Sequence, residues 1–371
     1  MRNIQTKAHL QDQNFDGRKD KNFMIELSQK PAPDTATTIV TAPSLSVPEP
    51  NNDPFRCKIP LPYRAVFYPL GFAVEVITNE EAVLAIVDDL WGNLRQLQKN
   101  PLLQIRIVVS EGGSDGCPPA PVMRAQRNLL TLVADAHNHA VCDLTHGLSL
   151  IWLNYASLHH PKFLCYHFIE TAACSIIAPA HATGLHAACV SRYGHGLLLT
   201  GDSGAGKSSL AYACARAGWT YTSDDGSWLL RNGDQPLVVG DCRQVRFRPA
   251  AKELFPELQD RDLTPRVQGK PSIEVPTSEL GLITAEQATV RSIVFLNRQP
   301  SAVAELIPVP RETAFQHFEN FLANVGEVRQ SHIEILQRIS TIDVYELQYR
   351  DLQPAIDRLD QLARGTETPI V

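Results

Sequence analysis

Residues Gly201–Ser208 read Gly-Asp-Ser-Gly-Ala-Gly-Lys-Ser, and no other stretch of this chain restricts its fold as strongly. Before them, Gly196-Leu197-Leu198-Leu199-Thr200 is a short apolar run suited to a buried strand. After them, Ser209 to Ala217 suits a helix. The segment matches G-x-x-x-x-G-K-[ST], a phosphate-cradling turn between a strand and a helix N-terminus. Gly201, Gly204 and Gly206 let the backbone bend so that successive N–H groups face one anion. The helix N-terminus adds partial positive charge there. The pattern predicts a nucleotide site for ATP built from Gly201, Asp202, Ser203, Gly204, Ala205, Gly206, Lys207, Ser208 and Ser209. Lys207 would reach the β- and γ-phosphates, and the Ser208 hydroxyl would sit on Mg²⁺.

The residues that follow add a pair of carboxylates. Leu210, Ala211, Ala213, Cys214 and Ala217 make an apolar helical stripe, closed by Gly218. Trp219-Thr220-Tyr221-Thr222-Ser223 reads as a strand and ends in Asp224-Asp225. A right-handed crossover is expected to lay this strand beside the loop strand, with both carboxyl ends on one edge. One carboxylate could then hold Mg²⁺ while the other accepts a proton from an attacking hydroxyl. By itself, Asp-Asp-Gly is more often a turn. The phosphate loop nearby favours the chemical reading.

Leu185-His186-Ala187-Ala188-Cys189-Val190, followed by residues 194–225, resembles the catalytic domain of the HPr kinase/phosphorylase family, whose fold is shared with phosphoenolpyruvate carboxykinases. The resemblance is specific from Leu185 to Asp225 and looser to about Arg298. It implies that Asp224 is the general base, that Asp225 shares Mg²⁺ with Ser208, and that His186 lies near the transferred phosphate. It also implies a catalytic arginine at Arg246. The chain departs from the family at Ala187, which stands where the family has glycine, and at Gln244, which stands where it has glutamate. The family's late Gly-Arg-Asn is missing around Leu306-Ile307-Pro308-Val309-Pro310-Arg311. That motif serves the phosphorylase direction, so its absence implies a kinase-only relative whose acceptor need not be HPr.

Other features set the remaining bounds. At 371 residues and 44% hydrophobic, the chain can bury a large core and suggests two domains. A net charge of −6 gives no basic footprint for nucleic acid. No run of 18 consecutive apolar residues occurs, which predicts no membrane helix, and the charged first 30 residues lack the apolar stretch of a secretory signal. The eight cysteines are scattered without a C-x-x-C pair and read as buried thiols of a reducing cytoplasm.

Residues 1–55 read as a disordered Pro/Thr/Ser-rich arm, 57–180 as an N-terminal α+β unit, and 181–371 as the catalytic domain. In the middle unit, Phe72 to Ile77 reads as a strand. Asn79, Glu80 and Glu81 open a helix running through Leu97, and Leu103 to Val109 is a second strand. Further strand pieces fall near 128–134, 140–143 and 149–152, and Phe163 to Ala178 reads as a helix. His137, His139, Cys142, Asp143 and His146 raise a metal reading, but a solvated hairpin accounts for them better.

Beyond Asp225, a hairpin is expected with its turn at Asn232-Gly233-Asp234. Arg246 and Arg248 share a face if their segment is a strand, with Arg243 opposite, and Gly269-Lys270 sits in a loop that could close over nucleotide. Helices are expected at Arg311–Ala323 and Pro354–Leu362, with a strand at Thr341–Leu347.

The combined expectation is an α/β fold with a mixed-sheet, P-loop kinase core. Its function is an ATP- and Mg²⁺-dependent cytoplasmic kinase of serine hydroxyls on a protein or peptide, with no nucleic-acid or membrane partner and with room for a homo-oligomer. A kinase of a small molecule or ribosomal peptide precursor, and a nucleotide-sensing module without catalysis, are the two alternatives.

Overall fold

The computed structural model describes residues 59–264, 271–300, 303–322 and 326–365. The Pro/Thr/Ser-rich arm and Gly269-Lys270 lie outside the described residues. The fold is mixed α/β and holds two large mixed sheets.

The first sheet comprises β1 (Tyr63–Phe67), β2 (Val74–Thr78), β3 (Leu103–Ser110), β4 (Val122–Gln126), β5 (Leu129–Val133), β6 (His139–Asp143) and β7 (Leu148–Asn154). Its order is β1-β2-β3-β7-β6-β5-β4. β2, β3 and β7 are parallel neighbours, and β7 to β4 form an antiparallel meander. Leu103, Ile105, Ile107 and Val109 alternate along β3 and are all buried, which is the period-two signature that made this strand legible.

Helix α1 (Glu81–Trp91) crosses from β2 to β3 and buries Val83, Val87 and Trp91. It stops well short of Leu97. Gly92 is its C-cap, and the backbone N–H groups of Leu97 and Gln98 donate to Gly71 O instead of continuing the helical ladder. Asn79 does not cap this helix. Its side chain makes two hydrogen bonds, at 2.8 Å each, with the backbone of Val109 on β3.

A continuous helical segment, Pro161–His181, covers this sheet. It comprises α2 (Pro161–Leu164), a π-turn (Cys165–Ile169) and α3 (Glu170–His181). Its 21 residues reach a mean hydropathy of 1.3, enough by length and composition to cross a membrane. It contains no long unbroken apolar run, because Glu170, Thr171 and Ser175 interrupt it without lowering the mean far. Phe163, Leu164, Phe168, Ile169, Ala172 and Ile176 are buried against the sheet in one core.

The second sheet contains β8 (Ala182–Leu185), β9 (Ala188–Arg192), β10 (His195–Thr200), β11 (Thr220–Ser223), β12 (Ser227–Leu230), β13 (Leu237–Gly240), β16 (Gln287–Arg298), β17 (Glu305–Val309) and β18 (Asp343–Tyr349). Separately, β14 (Gln244–Phe247) and β15 (Ile273–Pro276) form a two-stranded ribbon. The main path runs β11-β9-β10-β16-β13-β12-β8, and β18 lies against β16 with β17 outside it. Along β10, Leu197 and Leu199 enter one core while Leu198 enters another. The sheet is therefore covered on both faces, which explains why β10 reads as an unbroken apolar run. Helices α4 (Lys207–Arg216) and α7 (Leu352–Arg364) cover one face; α5 (Arg311–Glu319) and α6 (Gly326–Leu336) cover the other. On α7, Ile356, Leu359 and Leu362 recur at helical spacing, each contributing roughly 1.5–3 kcal/mol on burial.

The two sheets are not separate bodies. Leu230 of β12 and Val239 of β13 belong to the same buried cluster as the first sheet. Arg243 donates to Leu90 O, and Arg95 meets Glu286 at 2.7 Å.

Candidate active site

The geometry begins at strand ends. β10 and β16 are parallel, β9 is antiparallel to β10, and β11 is antiparallel to β9. The strand that carries the Asp pair therefore does not lie beside the loop strand, as the simple crossover predicted, because β9 stands between them. The hairpin β9–β10 inserts its own strand into the gap. β10 and β11 still run the same way, so both carboxyl ends meet on one edge. The amino end of β9 arrives at that same edge and delivers His186 there.

The loop Gly201–Gly206 connects β10 to α4, which starts at Lys207, two residues earlier than the helix pattern suggests. Gly201, Gly204 and Gly206 have φ of 143°, 89° and 97°. Two of these glycines are also held by close neighbours. A Cβ on Gly206 would lie 2.7 Å from the Tyr349 hydroxyl, and one on Gly201 would lie 3.1 Å from Leu296 O. Tyr349 at the end of β18 donates to Ala205 O at 3.0 Å, pinning the loop to the sheet. Lys207 folds back across the loop and donates to Gly201 O at 2.8 Å and Asp202 O at 3.3 Å. Burial lowers its pKa, opposed by the negative charges of Asp225 and Asp202 and reinforced by Arg248. Asp202 and Ser203 are exposed at the loop mouth, while Ser208 and Ser209 are half-buried in the first turn of α4.

Asp224 is 7% exposed. Burial, with Asp225 beside it, pushes its carboxyl up to about 7, although it accepts a 2.6 Å hydrogen bond from the Arg246 backbone N–H. Asp225 Oδ1 stands 3.4 Å from His186 Nδ1. Arg246 on β14 reaches Glu274 at 3.8 Å. The Gln244 amide, oriented with its oxygen toward the guanidinium, accepts from Arg246 Nε and Nη2 at 3.1 and 2.8 Å. Gln244 thus keeps contact with Arg246. Arg243 turns away to Asp241 at 2.8 Å. The phosphate loop, Lys207, His186, Asp224, Asp225 and Arg246 therefore come together at one edge. His139 is remote from it, stacked on Trp152 at 4.9 Å, and His146 pairs with Asp143 at 2.9 Å.

Two participants were not visible in the sequence. One is Tyr349. The other is His317 of α5, whose Nε2 lies 3.0 Å from Thr200 Oγ1. The Thr200 hydroxyl donates to His186 O at 3.1 Å, so His317 is the donor to Thr200. Burial, helped by the charge of Lys207, depresses His317 to about 4 and keeps it neutral at pH 7. A lone histidine 117 positions from its partner carries no local signal.

No family model matches the chain, and no curated protein matches it. Among solved structures it is similar to the HPr(Ser) kinase/phosphatase from Coxiella burnetii, at 13% identity and a TM-score of 0.29, over 50% of this chain and 93% of that chain. A likeness of that size assigns neither family nor chemistry.

Proposed function

We propose that this protein is a kinase that transfers the γ-phosphate of ATP to a hydroxyl, with Mg²⁺ as its metal. One observation carries the reading. Among the described residues, Lys207 and Asp224 are the only Lys, Arg, Asp or Glu side chains that are buried, and both stand at the carboxyl edge of the second sheet. Burying a charge costs several kcal/mol unless it is matched, so such pairs persist mainly where chemistry uses them.

The residues divide the work as phosphoryl transfer requires. The loop N–H groups and Lys207 suit the phosphate chain. Asp224, with a pKa near neutrality, is poised to take the proton of the attacking hydroxyl. Ser208 and Asp225 are the oxygen ligands that fit Mg²⁺, which would neutralise charge on the transferred group. Arg246, whose backbone N–H binds Asp224, and His186, beside Asp225, can stabilise developing negative charge. A serine hydroxyl of a protein or peptide is the acceptor we favour. The missing Gly-Arg-Asn and Gln244 in place of glutamate support a one-way enzyme.

The test is direct. Calorimetry should give saturable binding of ATP with Mg²⁺ to the native chain and strongly weakened binding to Lys207→Ala, and unaltered affinity in the variant would remove the basis of the reading. Phosphorylated acceptor incubated with inorganic phosphate should release no pyrophosphate. Its formation would overturn the one-way assignment alone.

A further inference from the structure

The turn that carries His186 is held by two hydroxyl relays. It is the two-residue link between β8 and β9, and the Ala187 N–H closes it onto Leu185 O at 2.8 Å. Hydroxyls take both of its carbonyls. Ser227 donates to Ala187 O at 3.0 Å and lies 2.7 Å from the Ser223 hydroxyl. The single Ser227 proton is spent on Ala187 O, so Ser223 donates to Ser227. These two serines flank Asp224-Asp225 in the chain. Thr200, the last residue of β10, donates to His186 O at 3.1 Å, and His317 donates to Thr200 at 3.0 Å. One relay ties the turn to the strands around the carboxylates, and the other ties it to the strand that opens the phosphate loop.

His317 is the one member of these relays that does not come from the second sheet. On α5 it shares a face with Ala314 and Phe318, which are buried. The rings of Phe295, Phe318 and Phe321 surround it at 5.0, 5.2 and 5.1 Å. Leucine or phenylalanine would serve packing alone in such a cage. An imidazole N–H shut away from water needs an acceptor, and Thr200 supplies it. Phe321 also lies 6.0 Å from the His186 ring. The α5 region thus meets His186 twice, at its ring and, through Thr200, at its carbonyl.

We propose that His317 is a positioning residue: through Thr200 it fixes the backbone of His186 and so holds that ring against Asp225. The inference rests on the kinase reading, in which Asp225 takes Mg²⁺ and His186 faces the transferred phosphate. His186 Nδ1 stands 3.4 Å from Asp225 Oδ1, a separation that a small shift of the turn would change. A displacement of about 1 Å at a reacting group can cost on the order of 10²-fold in rate. With the His317 N–H in place, the Thr200 oxygen is occupied and its proton points to His186 O. Without it, the hydroxyl can rotate and release that carbonyl.

Two readouts on the full chain test this: the His186 ring resonances in NMR spectra, assigned by their loss in His186→Gln, and ADP released from ATP and Mg²⁺ with water as the acceptor. His317→Leu should displace the His186 resonances. It should also lower kcat roughly tenfold or more, with the KM for ATP nearly unchanged. His317→Gln places an amide N–H where Nε2–H stood, and it should return the resonances and bring kcat to within about threefold of wild type. Thr200→Val breaks the relay from the other side while keeping shape, and it should act as His317→Leu does. The double variant should be no worse than either single one, because the two residues act as a unit. Unmoved His186 resonances in both His317→Leu and Thr200→Val, or a folded His317→Gln that restores nothing, would overturn the positioning role. A raised KM for ATP with kcat unchanged would overturn it too, by moving the effect of His317 to the phosphate loop. The resonances are read without nucleotide, so they decide the relay even if the wild type releases no ADP, a result that would count against the kinase reading alone.

Discussion

The seven-stranded and nine-stranded sheets both bury rows of leucine, valine and isoleucine, yet they treat charge differently. In the first, every described Asp, Glu, Lys and Arg keeps contact with solvent, and the buried polar groups are neutral, such as Asn138, Asn154 and Ser157. These three are satisfied within the unit: Asn138 bonds Asp135, and Asn154 bonds Ser114 O and the Ser157 N–H. In the second, a lysine and an aspartate are buried at strand ends within reach of flexible glycines. The first arrangement avoids the cost of buried ionisable groups, while the second bears it at two positions, the pattern expected of a functional site.

The sharpest way to break this contrast is Asp224→Asn, which keeps shape and removes the base. Phosphate transfer should fall by roughly 10²-fold or more while nucleotide binding persists. Wild-type turnover in this variant would return Asp224 to a structural role. Next in size, Lys207→Ala should weaken nucleotide affinity by on the order of 10–10²-fold, the worth of a charge-assisted bond. Ile105→Ala, at a fully buried position of β3, should cost about 2–5 kcal/mol in chemical denaturation. Its folded fraction should bind nucleotide normally. A parallel loss of affinity would show that the first sheet sets the loop geometry, and the contrast would fail.

A further effect is in pH. Asp224 has its folded pKa raised from 3.8 to about 7, so the folded state holds a proton that the unfolded state has lost between those values. Stability from this group is therefore lost as pH rises through that window, at up to about 1.4 kcal/mol per unit. Asp224→Asn should gain on the wild type steadily from pH 4 to 7. His167, His317 and His332 act in the opposite sense. Burial holds each near 4 against 6.5 unfolded, so their neutral forms favour the fold above pH 6.5, and that stability is lost as pH falls toward 4. Urea titrations across pH 4 to 7.5 on the wild type and Asp224→Asn check both signs. A constant difference between the two proteins would show that Asp224 is not shifted.

Features written in contiguous residues were legible. The β10–loop–α4 unit, the Asp pair at the end of β11 and the hairpin β12–β13 each depend on local periodicity and glycine placement. Features set by distant partners were not. Nothing near Gly92 announces that Leu97 and Gln98 will bond Gly71 O and stop a helix whose apolar stripe continues. Nothing near Gln244 announces its pairing with Pro276 across the ribbon. His317 and Tyr349 reach the loop only because α5 and β18 pack onto a sheet formed from other segments.

The strand β9 acts as a ruler. Two strand spacings of about 4.8 Å separate the loop strand from the strand bearing the carboxylates, so the gap between them is set near 10 Å by backbone hydrogen bonding rather than by side chains. Side-chain substitution can change what stands in that gap, as His186 does, but cannot change its width. The opposite end of the ruler, the turn at Tyr193-Gly194, is held only through Tyr193, which Arg192 and Arg364 flank, and a Cβ at Gly194 would touch nothing within 4 Å. New chain termini or an inserted tag belong at that turn, whereas a single residue inserted between Leu185 and Ala188 would shift the ruler against both of the marks it separates.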